Sequence, residues 1–358
     1  MRAAVLHEHN APLIIEELEL LPLAADEIRV EVTASGVCHS DVMVASGGVP
    51  FPLPLILGHE GAGRVLEVGA GVVDLRPGDH VVAAFTPVCG RCFFCVRGQT
   101  NLCTFGQELG MVPKGVLADG REVAALTNLG TFADVLTAHR SSLVKVETDL
   151  PDEQLALLGC GVTTGVGAAL NTANVTAGST VVVIGCGGVG LSVIQGARIA
   201  GAARIFAVDP VEMKRKSALD FGATDVIDPT TEDVIDVVKT ATRGLGADFT
   251  FEVVGRAETL VQAFDAARPG GDVVLVGFAP VGAQVSLPIL QMMVEEKSVR
   301  GSNFGSAQFL RDLPRLIALV EGGRLDVDSM ISRRIRLDEV NDAFRAMDAG
   351  EVIRSVIV

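Results

Sequence analysis

The run Val181-Val182-Val183-Ile184 and the turn Gly185-Cys186-Gly187-Gly188-Val189-Gly190 that follows it constrain the fold more than any other stretch. Four consecutive β-branched residues without polar alternation describe a strand covered on both faces, the environment of a parallel sheet. Leu191 to Ala200 then has helix-compatible composition, so the segment reads strand, glycine turn, helix. Glycines at 185, 187 and 190 suit a tight bend, close backbone approach to a pyrophosphate at a helix N-terminus, and contact between helix and strand. With 40 glycines in 358 residues, the same spacing also fits an ordinary βα turn, so the rest of the chain must decide.

Downstream, the rhythm supports the first reading. Apolar runs at Val181–Ile184, Ile205–Val208, Asp225–Ile227, Asp248–Val253 and Asp272–Val276 are mostly separated by helix-length intervals, which predicts a doubly wound parallel sheet. The first half differs. Ile28-Arg29-Val30-Glu31-Val32 and Arg64-Val65-Leu66-Glu67-Val68 alternate as strands with one wet face, and Pro50, Pro52 and Pro54 forbid a helix between them. Residues 106–130, rich in Gly and Pro, read as a long loop. Asp152–Leu158 reads as a helix, and the tail from 304 as helices over Ala307–Glu321 and Leu337–Ala349 with a final strand over Val352–Ile357. At 358 residues, two domains are expected: a β-rich one and an α/β one.

A formal charge of −15 argues against nucleic acid and anionic membrane surfaces as partners. The apolar start, Met1 to Leu6, is too short for a signal-peptide core, and the stretch Val181–Ile199 is broken by glycines, Ser192, Gln195 and Arg198. A cytoplasmic location is therefore expected. There, seven cysteines serve as metal ligands or buried thiols rather than as disulfides.

Four of them, Cys89, Cys92, Cys95 and Cys103, fall within fifteen residues, and four local thiolates can enclose one tetrahedral Zn²⁺ with no open position. An iron–sulfur cluster and plain reduced thiols are the alternatives, the first disfavoured by spacing. Of the remainder, Cys186 lies inside the glycine turn and reads as a small buried residue. Cys38 and Cys160 stand in glycine-flanked turns, and His59 in a third. Two thiolates and an imidazole would leave zinc's fourth position open, although sequence alone does not bring the three together.

The motifs Gly36-Val37-Cys38-His39-Ser40-Asp41, Gly58-His59-Glu60-Gly61-Ala62-Gly63, the four-cysteine lobe, Gly159-Cys160-Gly161 and Gly185-x-Gly187-x-x-Gly190 occur in the order found in zinc-containing alcohol dehydrogenases. The chain resembles that family, within the medium-chain dehydrogenase/reductase superfamily and its class III and benzyl-alcohol-dehydrogenase-like branch, over essentially its whole length. The resemblance implies a GroES-like β-rich catalytic domain over 1–161 and 304–358, and a Rossmann domain over 162–303. It implies a catalytic Zn²⁺ on Cys38, His59 and Cys160 and a structural one on the four-cysteine lobe. Asp41 would orient His59, and Glu60 would lie beside the metal.

Further roles follow from the same resemblance. Ser40 matches the hydroxyl that takes the alcohol proton; three residues on, where many relatives place a histidine, stands Met43, which carries no proton. His39 and Arg354 would meet the pyrophosphate, with Gly188 and Val189 in the fingerprint, and Thr164, Val276 and Phe278 near the cofactor. Asp209 ends the strand Ile205–Val208 nineteen residues after Gly190. A carboxylate there accepts from a ribose and repels a 2′-phosphate, which selects NAD over NADP; Lys214 resembles a contact to the same ribose.

Phe85, Val49 and Val162 would line an apolar pocket for primary aliphatic or aryl alcohols and their aldehydes. Glutathione-dependent formaldehyde dehydrogenases are the second reading, set back because Val49 replaces their acidic residue. A non-catalytic zinc-binding structural protein on the same fold is the alternative of another class. The long segment after Cys103 resembles that of dimeric rather than short-loop tetrameric relatives, which implies a homodimer, with a tetramer as the alternative.

Overall fold

The computed structural model describes residues 1–358. The chain divides into two compact units, one of 1–161, 308–323 and 327–358, the other of 162–307 and 324–326. No single helix is long and apolar enough to cross a membrane.

In the first unit the long strand Glu27–Val37 is the spine. It pairs antiparallel with Glu60–Val68, Val135–His139 and Arg354–Ile357. Ile28 and Val30 point into a core with Val65, Val81, Leu136 and Leu143, while Arg29 and Glu31 alternate outward. Each such aliphatic side chain stabilises the unit by about 1.5–3 kcal/mol relative to exposure. The helix Asp152–Leu158 buries Leu155, Leu157 and Leu158 completely. A second sheet in this unit contains Arg2–Leu6 and Leu55–Ile56, the latter following the three prolines.

Two expectations for this unit are corrected. Residues 106–130 are not a loop: they hold a short helix, Phe105–Leu109, and an antiparallel hairpin of Pro113–Val116 with Glu122–Ala125. The hairpin closes over Asp119-Gly120, with Gly120 at φ +86°, a turn signal that the Gly and Pro content of the segment hides. Cys38, expected in a turn, instead caps the N-terminus of the helix His39–Ala45.

The second unit is built on a fully parallel sheet. Its strands lie in the order Asp225–Ile227, Arg204–Val208, Thr180–Ile184, Ala247–Glu252, Ala267–Leu275, Ser298–Gly301. Numbered within this unit that order is 3-2-1-4-5-6, the doubly wound dinucleotide-binding arrangement. Val181 to Ile184 are all buried, as the unbroken apolar run requires. The helix Gly188–Ala200 buries Leu191, Val193, Ile194 and Ala197, and ends at Gly201 in the left-handed region.

Candidate active site

Cys38, His59, Glu60 and Cys160 come together in the first unit, each offering a ligand atom within 4.8 Å of the others. Cys38 immediately precedes the helix His39–Ala45, His59 immediately precedes the strand Glu60–Val68, and Cys160 lies between two helices. All four residues are buried. The hydrogen bond between the two thiols holds Cys38 well below its ordinary pKa, and pushes Cys160 well above, with burial adding to the rise.

The surrounding groups orient this set. Asp41 Oδ1 lies 3.1 Å from His59 Nδ1 and accepts from the Gly58 amide at 3.0 Å, while Oδ2 accepts from the Cys38 amide at 3.1 Å. One carboxylate thus braces the loops carrying two of the ligands. With Nδ1–H directed at Asp41, His59 Nε2 carries the free lone pair that a metal needs. Burial disfavours charge on His59, but the carboxylate beside it prevails and raises its pKa well above the usual range.

Glu60 is held from the other side. Its Oε1 accepts from the Gly161 amide at 3.0 Å, and its Oε2 is ion-paired with Arg354. Burial pushes the Glu60 carboxyl up to about 7 against the pull of the guanidinium. Both carboxylate oxygens are therefore held by protein partners, which makes Cys38, His59 and Cys160 the more available ligands of the four. Arg354 is buried and its strand is interior, between Glu27–Val37 and Ile331–Ile335, so a surface charge on an edge strand does not describe it.

Cys89, Cys92, Cys95 and Cys103 also converge within 4.8 Å. Cys103 Sγ lies 3.6 Å from Cys89 Sγ and 3.8 Å from Cys92 Sγ. A tetrahedron of thiolates about 2.3 Å from Zn²⁺ has edges of about 3.8 Å, so the lobe has the dimensions of a closed zinc site.

The second unit holds the glycine turn. Gly185 has φ +97°, a Cβ on Gly190 would collide with the Gly185 carbonyl, and a Cβ on Gly187 would meet nothing. The first position therefore bends the chain, the last lets the helix approach the strand, and the middle one leaves open space at the N-terminus of a thirteen-residue helix. Asp209 is buried at the end of the neighbouring strand, where Oδ2 accepts from the Cys186 amide at 2.9 Å and Oδ1 from the Val211 amide at 2.8 Å. Each oxygen retains a lone pair for a further donor. Burial and the Asp209 charge both raise the Cys186 thiol, as befits a packed residue.

The remaining candidates are placed as follows. Ser40 Oγ is 3.7 Å from Cys38 Sγ, and Phe85 meets the His59 ring edge-on with centroids 6.0 Å apart. His39 is exposed, and Val49 and Met43 are half-buried. In the second unit, Val162 is buried, Thr164, Val189, Lys214 and Val276 are half-buried, and Phe278 is exposed. Two relationships escaped sequence reasoning: the Arg354–Glu60 pair, and the buried carboxyl of Glu252 at the end of its strand. The first joins residues 294 positions apart, and nothing local signals it. The second carried one weak signal, an acidic residue directly after Phe251 at the end of the strand.

A family model described as zinc-binding dehydrogenase matches residues 188–322, and one described as alcohol dehydrogenase GroES-like domain matches 24–148. An S-(hydroxymethyl)glutathione dehydrogenase of Paracoccus denitrificans is 38% identical, the match covering 100% of this chain and 99% of that protein. Among solved structures, benzyl alcohol dehydrogenase from Acinetobacter calcoaceticus superposes with a TM-score of 0.92 at 33% identity, covering 99% and 98% of the two chains. A zinc-binding dehydrogenase from Sinorhizobium meliloti bound to NADP superposes with a TM-score of 0.83 at 29% identity, covering 100% and 98%.

Proposed function

The chain belongs to the zinc-dependent alcohol dehydrogenases, enzymes that use zinc and a nicotinamide cofactor, and on that premise we propose that it oxidises primary aliphatic or aryl alcohols with NAD, and reduces the corresponding aldehydes. The observation that carries this reading is the donor set of Cys38, His59 and Cys160, braced by Asp41, with Glu60 already spent on Arg354 and Gly161. Those three residues would hold the catalytic zinc, and Cys89, Cys92, Cys95 and Cys103 a structural one. When bound at the three-ligand site, zinc supplies a Lewis acid that lowers the pKa of an alcohol hydroxyl.

The chain's own residues do the rest. Ser40, beside Cys38, accepts a hydrogen bond from the alcohol hydroxyl and relays the proton by giving up its own. Phe85, against the His59 ring, excludes water from one side of the site and favours an apolar substrate. In the second unit, the amides at the start of Gly188–Ala200 hold the pyrophosphate, and Asp209 accepts from the adenosine ribose. A 2′-phosphate placed beside that buried carboxylate would meet like charge, which is the ground for NAD rather than the NADP of the Sinorhizobium protein.

The Paracoccus relative's name raises S-(hydroxymethyl)glutathione as a second substrate. Val49 offers no charge to a glutathione ammonium, so we rank it below simple alcohols. We further infer a homodimer. Support comes from Ile289, Leu290, Met293 and Val294, each at least 65% exposed, just before the edge strand Ser298–Gly301. We place the enzyme in the cytoplasm, where thiol ligands stay reduced.

A panel of aliphatic alcohols, benzyl alcohols and S-(hydroxymethyl)glutathione, each offered with NAD and with NADP while absorbance of the reduced cofactor is followed, tests the reading. Turnover confined to NADP, or to the glutathione adduct, would overturn it. Sedimentation of the zinc-loaded protein tests the dimer, and a monomer at micromolar concentration would remove it.

A further inference from the structure

Two glycines, Gly58 and Gly61, bracket His59 and Glu60, and both face the same residue, Thr131. Gly58 has φ +89°, and a Cβ there would lie 2.5 Å from Thr131 Oγ1 and 2.5 Å from Phe132 Cδ1. A Cβ on Gly61 would lie 2.7 Å from Thr131 Cγ2. The hydroxyl branch of one threonine therefore covers the residue before His59, and its methyl branch covers the first residue after Glu60.

Thr131 also holds this stretch through its main chain. Its amide donates to the Gly58 carbonyl at 3.0 Å, and the Phe132 amide donates to the Leu57 carbonyl at 3.0 Å. The Gly58 amide in turn donates to Asp41 Oδ1 at 3.0 Å, so both main-chain polar groups of the residue before His59 are tied down. The Thr131 hydroxyl lies 2.7 Å from Ser35 Oγ, and both residues are buried. Ser35 stands opposite Gly61 in the long strand Glu27–Val37, which runs directly into Cys38. One side chain thus meets the segment that carries His59 and the strand that delivers Cys38. A buried hydroxyl without a partner is costly, so each of the two depends on the other.

We propose that Thr131 is a positioning residue for the metal site: paired with Ser35, it fixes His59 relative to Cys38 and so sets how tightly those ligands hold zinc. This rests on the zinc reading above, in which Cys38, His59 and Cys160 are the ligands.

Competition of the zinc-loaded protein with a chelator, followed as zinc retained per chain alongside the melting temperature, tests this without turnover. Thr131→Val keeps the shape and the amide but removes the hydroxyl, and Ser35→Ala breaks the same pair from the other side. Each should hold the zinc of the Cys38, His59 and Cys160 site about tenfold less tightly, with the four-cysteine lobe unchanged. Each should also melt lower, because one hydroxyl is left buried alone. The double variant leaves no hydroxyl unpaired, so it should recover much of the melting temperature yet hold zinc no better than the single variants. Thr131→Ser keeps the hydroxyl and should bind zinc as wild type does. If zinc affinity recovers in step with the melting temperature in the double variant, or never falls, the pair serves only the fold and the proposal is overturned. Should Thr131→Val not fold, Ser35→Ala decides alone, and unchanged zinc affinity there overturns the proposal. Wild-type protein that retains only the zinc of the four-cysteine lobe would sink the zinc reading, and this inference with it.

Discussion

Arg354 and Glu60 lie 294 positions apart in the chain and form a buried ion pair beside Cys38 and Cys160. Removing one partner leaves the other charge buried alone, whereas removing both removes the problem. Arg354→Met is therefore expected to lower the unfolding free energy by about 3–5 kcal/mol, and Arg354→Met combined with Glu60→Gln to recover much of that loss. Urea unfolding of the two variants checks this; equal losses in single and double variants would count against the pair as the cause.

Asp41 touches no substrate, but it holds His59 and the Cys38 amide at once. Asp41→Asn removes the charge and one of the two acceptors. Groups that orient a metal ligand typically matter to metal affinity by about 10–100-fold, so zinc at the Cys38, His59 and Cys160 site should be lost first to a competing chelator. Metal analysis should then fall from about two zinc per chain to about one, the remainder held by the four-cysteine lobe. Loss of both ions together would show that Asp41 supports the fold rather than the site.

What the sequence made legible was local. Cys89 to Cys103 carry their own spacing, the Gly185–Gly190 turn follows an apolar run, and Asp209 stands at a fixed distance beyond it. In each case a few adjacent residues meet one geometric demand. Arg354 against Glu60, and Glu252 between two strand ends, depend on which strands become neighbours, and no local pattern encodes that. The hairpin within 106–130 was hidden for another reason. Its Gly and Pro content reads as coil, whereas antiparallel pairing across Asp119-Gly120 makes it a sheet, and Lys114 ties it to Glu27 at 2.6 Å.

His80 supplies a pH dependence outside the metal site. Burial lowers its pKa, Asp152, whose carboxylate lies 2.6 Å from Nε2, only partly opposes it, and Arg64 adds to the lowering. The folded protein thus holds a neutral imidazole, and the unfolded chain binds the proton first as pH falls. The stability this gives is present above the unfolded value of about 6.5 and declines as pH drops toward the folded one. Unfolding free energies at pH 7.5 and 5.5 should therefore fall less steeply in His80→Asn than in wild type; parallel slopes would refute the assignment.

Ser40 and Met43 stand one turn apart on the helix His39–Ala45, the spacing at which side chains share a face. Met43 cannot pass a proton onward, so the relay proposed for Ser40 would end in water or in another group. Met43→His places a titrating imidazole there and should add an ionisation near neutral pH to the profile of alcohol oxidation. An unchanged kcat/KM profile would mean that Ser40 does not release its proton in that direction.

In the proposed function cofactor choice turns on Asp209, which would do two things with one side chain. Its oxygens accept from the Cys186 and Val211 amides, fixing the glycine turn against the start of the next segment, and its charge lies where an adenosine ribose would sit. The two effects separate by substitution. Asp209→Asn keeps an acceptor for the turn and removes the charge; Asp209→Gly removes both. Hydrogen bonds to a charged group contribute about 1.5–3 kcal/mol, so either variant should lower kcat/KM with NAD by about ten- to a hundredfold. Relief of like-charge repulsion should at the same time raise kcat/KM with NADP. Both variants should lower thermal stability, Asp209→Gly the more, because Asn leaves one of the two buried amides without its acceptor and Gly leaves both. If the NAD to NADP ratio is unmoved in Asp209→Asn while Asp209→Gly merely unfolds more easily, Asp209 braces the turn and discrimination against the 2′-phosphate lies elsewhere.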